Sequence, residues 1–228
     1  MSDPLDCLEI TSEPDAPAGS AVAGTVIWLH GLGADASDFE PIVPLLAPLL
    51  KLEQPLRFVF PNAPVRPVTI NGGMEMRAWY DIDPGAPLSG DEDIRASAVQ
   101  IEQLLVREQE RGIPSERVTL GGFSQGGVIA LHLGLRHPQQ LAGIMALSTY
   151  VHDHEHLTEE VSFASVDVPI FMAHGLSDPM IPITRAVTSR EALLQLNYQL
   201  EWHEYGMGHQ VCPEEINDIA AWLNRIYQ

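Results

Sequence analysis

Short apolar runs alternate with amphipathic stretches along most of this chain. Residues 25–31 (TVIWLHG) and 56–61 (LRFVFP) are apolar, rich in β-branched and aromatic side chains, and too short for helices. That pattern predicts strands buried on both faces. Further strands are expected over 117–122, 141–148, 169–174 and 200–205, with an opening one near 5–10. A helical period marks 91–112, where Ile94, Ala98, Ile101, Leu104 and Leu105 share a face and Gly112 supplies a stop. Helices are likewise expected over 38–50, 124–136, 184–196 and 214–227. In the first of these Asp38 can cap the N-terminus and Pro41 fits the first turn, while Pro44 and Pro48 imply a kink or a break. Strands alternating with helices predict an α/β fold, with a mostly parallel central sheet covered by helices on both faces.

Two stretches depart from this rhythm. Residues 11–24 are rich in small residues, Pro and Gly, and read as a surface turn. Residues 62–90 hold Pro64, Pro67, Pro84, Pro87 and Gly72-Gly73, together with Met74, Met76, Trp79 and Tyr80. A loop this long is usually functional or disordered, and its aromatics and methionines predict that it packs onto something. No repeat or linker interrupts the 228 residues, so 1–228 reads as a single domain.

Composition narrows the function. Hydrophobic residues at 45% and charged residues at 19% fit a folded protein rather than a disordered one. Twelve basic against 31 acidic side chains give a net charge of −19. Such a field repels phosphate backbones and anionic lipids, which argues against nucleic-acid and membrane-surface binding. Lys51 is the only lysine, a bias compatible with a salty habitat or with genome base composition. Two cysteines, Cys7 and Cys212, are too few for a disulfide framework and suit a reducing compartment. The start MSDPLDCLEI lacks the basic and apolar regions of a signal peptide, and Ser2 stands where N-myristoylation needs glycine. No run approaches the roughly 18 apolar residues of a membrane span. A soluble, cytoplasmic protein without stable membrane insertion is the expectation.

The sharpest chemical signal is Gly122-Phe123-Ser124-Gln125-Gly126, followed by Gly127, between a predicted strand and a predicted helix. A serine on a tight strand-to-helix turn needs small neighbours, and the turn lifts its hydroxyl above the sheet at a helix N-terminus. Ser124 is therefore the candidate nucleophile, in preference to a glycine-rich turn that serves packing alone. A serine hydroxyl needs a base, and in this strand–turn–helix arrangement an acid and then a histidine follow the nucleophile in the chain. His132 and His137 lie on or just past the nucleophile helix, His174 precedes its own acid, and His203 lies inside a strand. His209, in Gly206-Met207-Gly208-His209 directly after the last strand, remains as the base. Asp178, in the turn after the 169–174 strand, is the preferred acid; Asp153 is the reserve, and Asp167 falls at the wrong end of the sheet. The segment Leu29-His30-Gly31-Leu32-Gly33 follows the first buried strand, where the fold supplies one oxyanion-binding N–H. Leu32 and Gln125 are assigned to that hole through their backbone N–H groups, their side chains being incidental, and His30 to bracing the loop.

On these residues the chain resembles the small bacterial carboxylesterases and the acyl-protein thioesterases of the α/β-hydrolase superfamily, grouped as the phospholipase/carboxylesterase family. The matching segments are VIWLHGLG (26–33), FPNAPVRPVTINGGMEMRAWYDI (60–82), GIPSERVTLGGFSQGG (112–127), LAGIMALS (141–148), PIFMAHGLSDPMIP (169–182) and YGMGHQVCPEEI (205–216). The resemblance implies an α/β-hydrolase fold without a large cap, a Ser124–Asp178–His209 triad, oxyanion donors at Leu32 and Gln125, and Trp79 on the wall of the acyl or substrate pocket. The chain departs from many relatives at 34–38 and at 149–156, both near the expected pocket rim, so acyl preference does not carry over. The expected function is hydrolysis of carboxylic esters with small to medium acyl chains through an acyl-serine intermediate. A thioesterase or lysophospholipase acting on longer chains is the alternative, and a non-catalytic acyl-binding module is the alternative of another class. The substrate is a small-molecule ester or thioester, and a homodimer is left open. No cofactor and no metal is expected: His152, His154 and His156 alternate as zinc or nickel ligands could, but a solvated polar loop is the favoured reading. Cys212 reads as a small buried filler, and Cys7 as an acylation site only by remote analogy.

Overall fold

The computed structural model describes residues 5–13, 20–86 and 90–228. Seven strands form one sheet: β1 (Cys7–Thr11), β2 (Gly24–Leu29), β3 (Leu56–Pro61), β6 (Val118–Phe123), β7 (Gly143–Leu147), β8 (Ile170–Gly175) and β9 (Leu200–Tyr205). Their order is β1-β3-β2-β6-β7-β8-β9. β1 pairs antiparallel with β3 at the edge, and every other neighbour pair is parallel. Chain order reverses at β2, with β3 on one side and β6 on the other. In an open α/β sheet the crevice outside the carboxyl ends of two such strands is where ligands bind.

The sheet divides the core in two. Along β2, Val26 and Trp28 enter one cluster, with Phe58, Phe60, Phe171 and Trp222. Ile27 and Leu29 enter the other, with Ile94, Ile101, Leu105 and Leu120. This period-2 alternation on a strand buried along its whole length is what a doubly covered parallel sheet requires. The long helices are α2 (Asp91–Glu110), α3 (Gln125–Arg136), α5 (Ile183–Gln195) and α6 (Pro213–Ile226); α1 (Val43–Leu46) and α4 (Leu157–Glu160) are single turns. Asp91, Glu92 and Asp93 in the first turn of α2 suit the positive end of its dipole, and Gly112, at φ 85°, follows its end.

Two expectations differ from the structure. The helix expected over 38–50 is a 3₁₀ turn at Glu40–Ile42, α1, and a second 3₁₀ turn at Ala47–Leu49. Pro41, Pro44 and Pro48 remove one N–H donor per turn, so no longer helix can propagate, and Asp38 is not the cap. The 62–90 stretch is not an unstructured loop. It contains an antiparallel hairpin of β4 (Val65–Val68) and β5 (Met74–Arg77), reversed through Gly72 and Gly73 at φ 67° and 79°. Those left-handed angles are open to glycine and strained for most other residues. Of the surface turn expected over 11–24, residues 14–19 lie outside the described residues, as does Pro87 of the 62–90 stretch.

Candidate active site

β6 ends at Phe123 and α3 begins at Gln125, which leaves Ser124 alone between strand and helix. Its backbone sits at φ 55°, ψ −120°, a sparsely populated region that costs about 1–3 kcal/mol and persists only where surroundings enforce it. The enforcement is visible. The Ser124 N–H donates to Leu147 O at 2.9 Å, and Thr149 Oγ1 donates to Ser124 O at 2.7 Å. The flanking glycines are sterically required. A Cβ at Gly122 would lie 2.2 Å from the Gly126 carbonyl carbon, and one at Gly126 would lie 2.4 Å from Leu29 O. Helix α3 thus packs against the ends of β2 and β6 at backbone contact, at the point where the strand order reverses.

His209 and Asp178 come together from loops after β9 and β8. His209 Nδ1 donates to Asp178 Oδ2 at 2.7 Å, which leaves Nε2 as the free ring nitrogen. Asp178 Oδ1 accepts the N–H groups of Met180 and Ile181 at 2.8 and 2.9 Å. Burial alone would raise this carboxyl. The Ile181 N–H, the His209 imidazole and the Met180 N–H outweigh it and hold Asp178 below the usual carboxylate range. The Asp178 side chain is fully buried while that of His209 keeps 17% of its surface open, as suits a fixed anion behind an imidazole that reaches outward. The His209 ring packs against Phe123, the residue before Ser124, with centroids 4.6 Å apart. A second imidazole flanks the acid: His174 Nε2 donates to Ile181 O at 2.9 Å and stands 3.5 Å from Asp178 Oδ2.

The loop after β2 closes the other side. A Cβ at Gly31 would fall 3.4 Å from Ser124 Cβ, so this backbone lies against the serine. The N–H groups of Gly33 and Ala34 are bonded to Arg77 O and Gly31 O. The N–H of Gln125, first in α3, is one of those a helix leaves without an internal partner. His30 braces the loop: Nδ1 donates to Gly31 O at 2.7 Å, and Nε2 accepts the Ala63 N–H at 3.1 Å. Burial lowers its pKa, which keeps Nε2 available as that acceptor.

Trp79 stands behind this loop. None of its surface is exposed, so in this structure it is a support of the site rather than an accessible wall. Its indole Nε1 donates to His30 O at 2.9 Å, and its backbone N–H donates to Gln125 Oε1 at 3.0 Å. Gln125 Nε2 in turn donates to Tyr80 O at 2.8 Å. The Gln125 side chain, set aside in the sequence reading, therefore pins the segment after β5 to the start of α3. Pattern alone gives no sign of this, because the partners lie 45 and 46 residues apart.

The remaining candidates fall elsewhere. Asp153 is engaged by His156 Nδ1 at 2.8 Å and not by His209. His152 is buried, whereas His154 and His156 are exposed. Among the described residues no three His, Cys, Asp or Glu side chains are gathered as a metal site. Cys7 and Cys212 are half-buried free thiols, and Cys212 is the residue before α6. Among the described residues no helix is long and apolar enough to cross a membrane.

Comparison with known proteins bears on the family and the fold. The family model for phospholipase/carboxylesterase matches residues 11–227. The acyl-protein thioesterase 1 of Mycosarcoma maydis is 37% identical over 225 residues, covering 92% of this chain and 93% of the relative. Among solved structures, Arabidopsis thaliana SOBER1 superposes with a TM-score of 0.82 at 27% identity, over 90% of this chain and 99% of that one. Zea mays acyl-protein thioesterase 2 superposes with a TM-score of 0.79 at 25% identity, over 98% and 99%. With the family model spanning nearly its whole length, the chain belongs to the phospholipase/carboxylesterase family and is a hydrolase of the α/β-hydrolase fold.

Proposed function

We propose that this chain is a serine carboxylesterase that cleaves esters of small to medium acyl chains through an acyl-Ser124 intermediate. The observation that carries the reading is the strained backbone of Ser124, held at a helix N-terminus that its side chain does not cap. Ser124 Oγ attacks the carbonyl carbon while His209 Nε2 takes its proton. Asp178 keeps the imidazole in the tautomer that leaves Nε2 free and stabilises the charged form. The resulting oxyanion is met by the N–H groups of Leu32 and Gln125, donors worth about 10²–10³ in turnover each. The tetrahedral adduct collapses, the C–O bond to the alcohol breaks, and His209 returns the proton to the leaving oxygen. Water then repeats the cycle on the acyl-enzyme, releasing the carboxylic acid and restoring Ser124. Trp79 acts through its hold on His30 and Gln125. The two free cysteines suit a reducing, cytoplasmic setting.

A second reading, thioester hydrolysis, is favoured by the 37% identity to a protein named acyl-protein thioesterase 1; the same residues would act, with a thiol as leaving group. The test is a chain-length series of matched esters and thioesters, with an active-site phosphonate as titrant. Ser124→Ala should abolish turnover and labelling while keeping the wild-type melting temperature. Labelling at another residue, or turnover retained in the variant, overturns the assignment. The ratio of ester to thioester kcat/KM separates the two readings.

A further inference from the structure

Arg185, third residue of α5, is anomalous in this acidic protein. Every other arginine has a carboxylate or carbonyl oxygen within reach, including exposed ones such as Arg95 and Arg225. Among the described residues Arg185 has no such partner, although the chain carries 31 acidic side chains. Its guanidinium instead lies over the Tyr150 ring, 3.3 Å from the centroid. Arg185 is exposed, and stacking occupies the face of the guanidinium while its edge, which carries the N–H donors, stays open to a ligand.

The surroundings form a built recess. Tyr150 is buried, and its hydroxyl is hydrogen-bonded to that of Tyr80 at 2.9 Å, which fixes the ring beneath Arg185. His152 is 8% exposed, and its Nε2 is buried without a hydrogen-bond partner among the described residues. Arg185 and His152 line both of two adjoining cavities, of about 160 and 330 Å³. Two hydrogen bonds link the segments that carry Tyr80 and Tyr150 to the turn at Ser124. Tyr80 O accepts from the Gln125 side chain, and Thr149, next to Tyr150, bonds Ser124 O.

We propose that Arg185, with Tyr80, Tyr150 and His152, forms a subsite that binds a carboxylate carried by the ester substrate. This rests on the esterase reading above. A guanidinium edge presents paired donors matched to the two oxygens of a carboxylate. Burial lowers the pKa of His152, so it meets the ligand as a neutral imidazole with hydrogen-bonding capacity to spare. The carboxylates that share the recess are already committed. Asp81 accepts from Thr69 N and Oγ1, Asp83 from Gly85 N, and Asp153 from His156. Glu155 lies at the outer cavity beside His154. With these charges near, a singly charged carboxylate is favoured over a doubly charged phosphate.

The experiment compares 4-nitrophenyl monoglutarate, with the carboxylate on the acyl side, with its neutral methyl-capped isostere. A parallel pair carries the carboxylate on the alcohol. Wild type should prefer one anionic ester over its neutral isostere, and the preferred pair shows which half of the substrate reaches Arg185. Arg185→Gln should lower kcat/KM for that anionic ester by about tenfold to a hundredfold, the range of a lost charged hydrogen bond. It should change the neutral ester less than twofold, and Arg185→Lys should recover part of the loss. Free glutarate should inhibit wild type competitively and the glutamine variant weakly. Equal losses on charged and neutral esters, or no preference in wild type, overturn the subsite. Turnover of the neutral ester and phosphonate labelling at Ser124 report on the esterase reading separately.

Discussion

Glu215 offers a measurement of the fold's tolerance for buried charge. It is the third residue of α6, its side chain is fully buried, and neither carboxylate oxygen has a hydrogen-bond partner among the described residues. Burial is the largest influence and pushes its carboxyl up to about 8. The backbone at Cys212 pulls the other way, and Asp218, one turn on, adds repulsion. The unfolded chain releases the same proton near 4.5. Between those values the native state holds a proton that the unfolded state has lost, so stability falls as pH rises from about 4.5 to about 8. Below this window both states are protonated and the group contributes nothing; above it both are ionised and the cost is constant. At about 1.4 kcal/mol per pH unit the full cost approaches about 5 kcal/mol, of which about 3 should develop between pH 5.5 and 8.5. Glu215→Gln removes the titration. Urea denaturation followed by tryptophan fluorescence across that range should show the variant gaining on wild type by about 3 kcal/mol at unchanged m. Any fixed cost of burying the amide displaces the whole curve and leaves its slope alone. Parallel curves would mean that Glu215 is ionised and paired in the native state, and the reasoning would fail.

Four further outcomes rest on particular hydrogen bonds and ion pairs. Asp178→Asn should lower kcat by about 10⁴: the amide can keep its oxygen on the Met180 and Ile181 N–H groups only by turning its NH₂ toward His209 Nδ1, which selects the wrong tautomer. Asp153→Asn, measured alongside, should leave turnover unchanged. Trp79→Phe strips His30 O of a buried donor at a cost of about 1–3 kcal/mol, and should depress kcat/KM by one factor across an acyl-length series; a loss that changes with each added CH₂ would restore the pocket-wall role. Glu108→Ala should destabilise the fold by about 3–5 kcal/mol in urea titration, because it strands Arg57, 2.7 Å from the buried carboxylate, and the Thr25 hydroxyl, 2.8 Å away.

What could be read in advance divides along a physical line. The central strands announce themselves as apolar runs because each is covered on both faces, and the alternation of Val26, Ile27, Trp28 and Leu29 needs no knowledge of their neighbours. The positions of Ser124, Asp178 and His209 after β6, β8 and β9 are legible for a related reason: a residue at the carboxyl end of a strand is placed by its own turn. The hairpin over 65–77 was within reach, since Gly72-Gly73 lies between segments of β-compatible residues, but the density of prolines around it reads as loop. The three prolines of 41–48 announced a break without saying that nothing longer than a turn would survive.

The features that escaped are those decided by contacts between residues far apart in the chain. The resemblance implies a pocket-wall role for Trp79, and no local pattern announces that its indole donates to His30 O, 49 residues away. Gln125 looks incidental because the fold needs only its backbone, yet its amide makes two bonds that fix the loop behind the serine. Arg185 reads as one more charge on a helix face until its partners are counted. Strand-end turns place the candidate catalytic groups by local rules, and long-range hydrogen bonds decide how rigidly they are held and what they can reach. The first are written in spacing. The second depend on which surfaces the sheet order brings together, here the segments after β5 and β7 around the start of α3, and that order is not a local property of any segment.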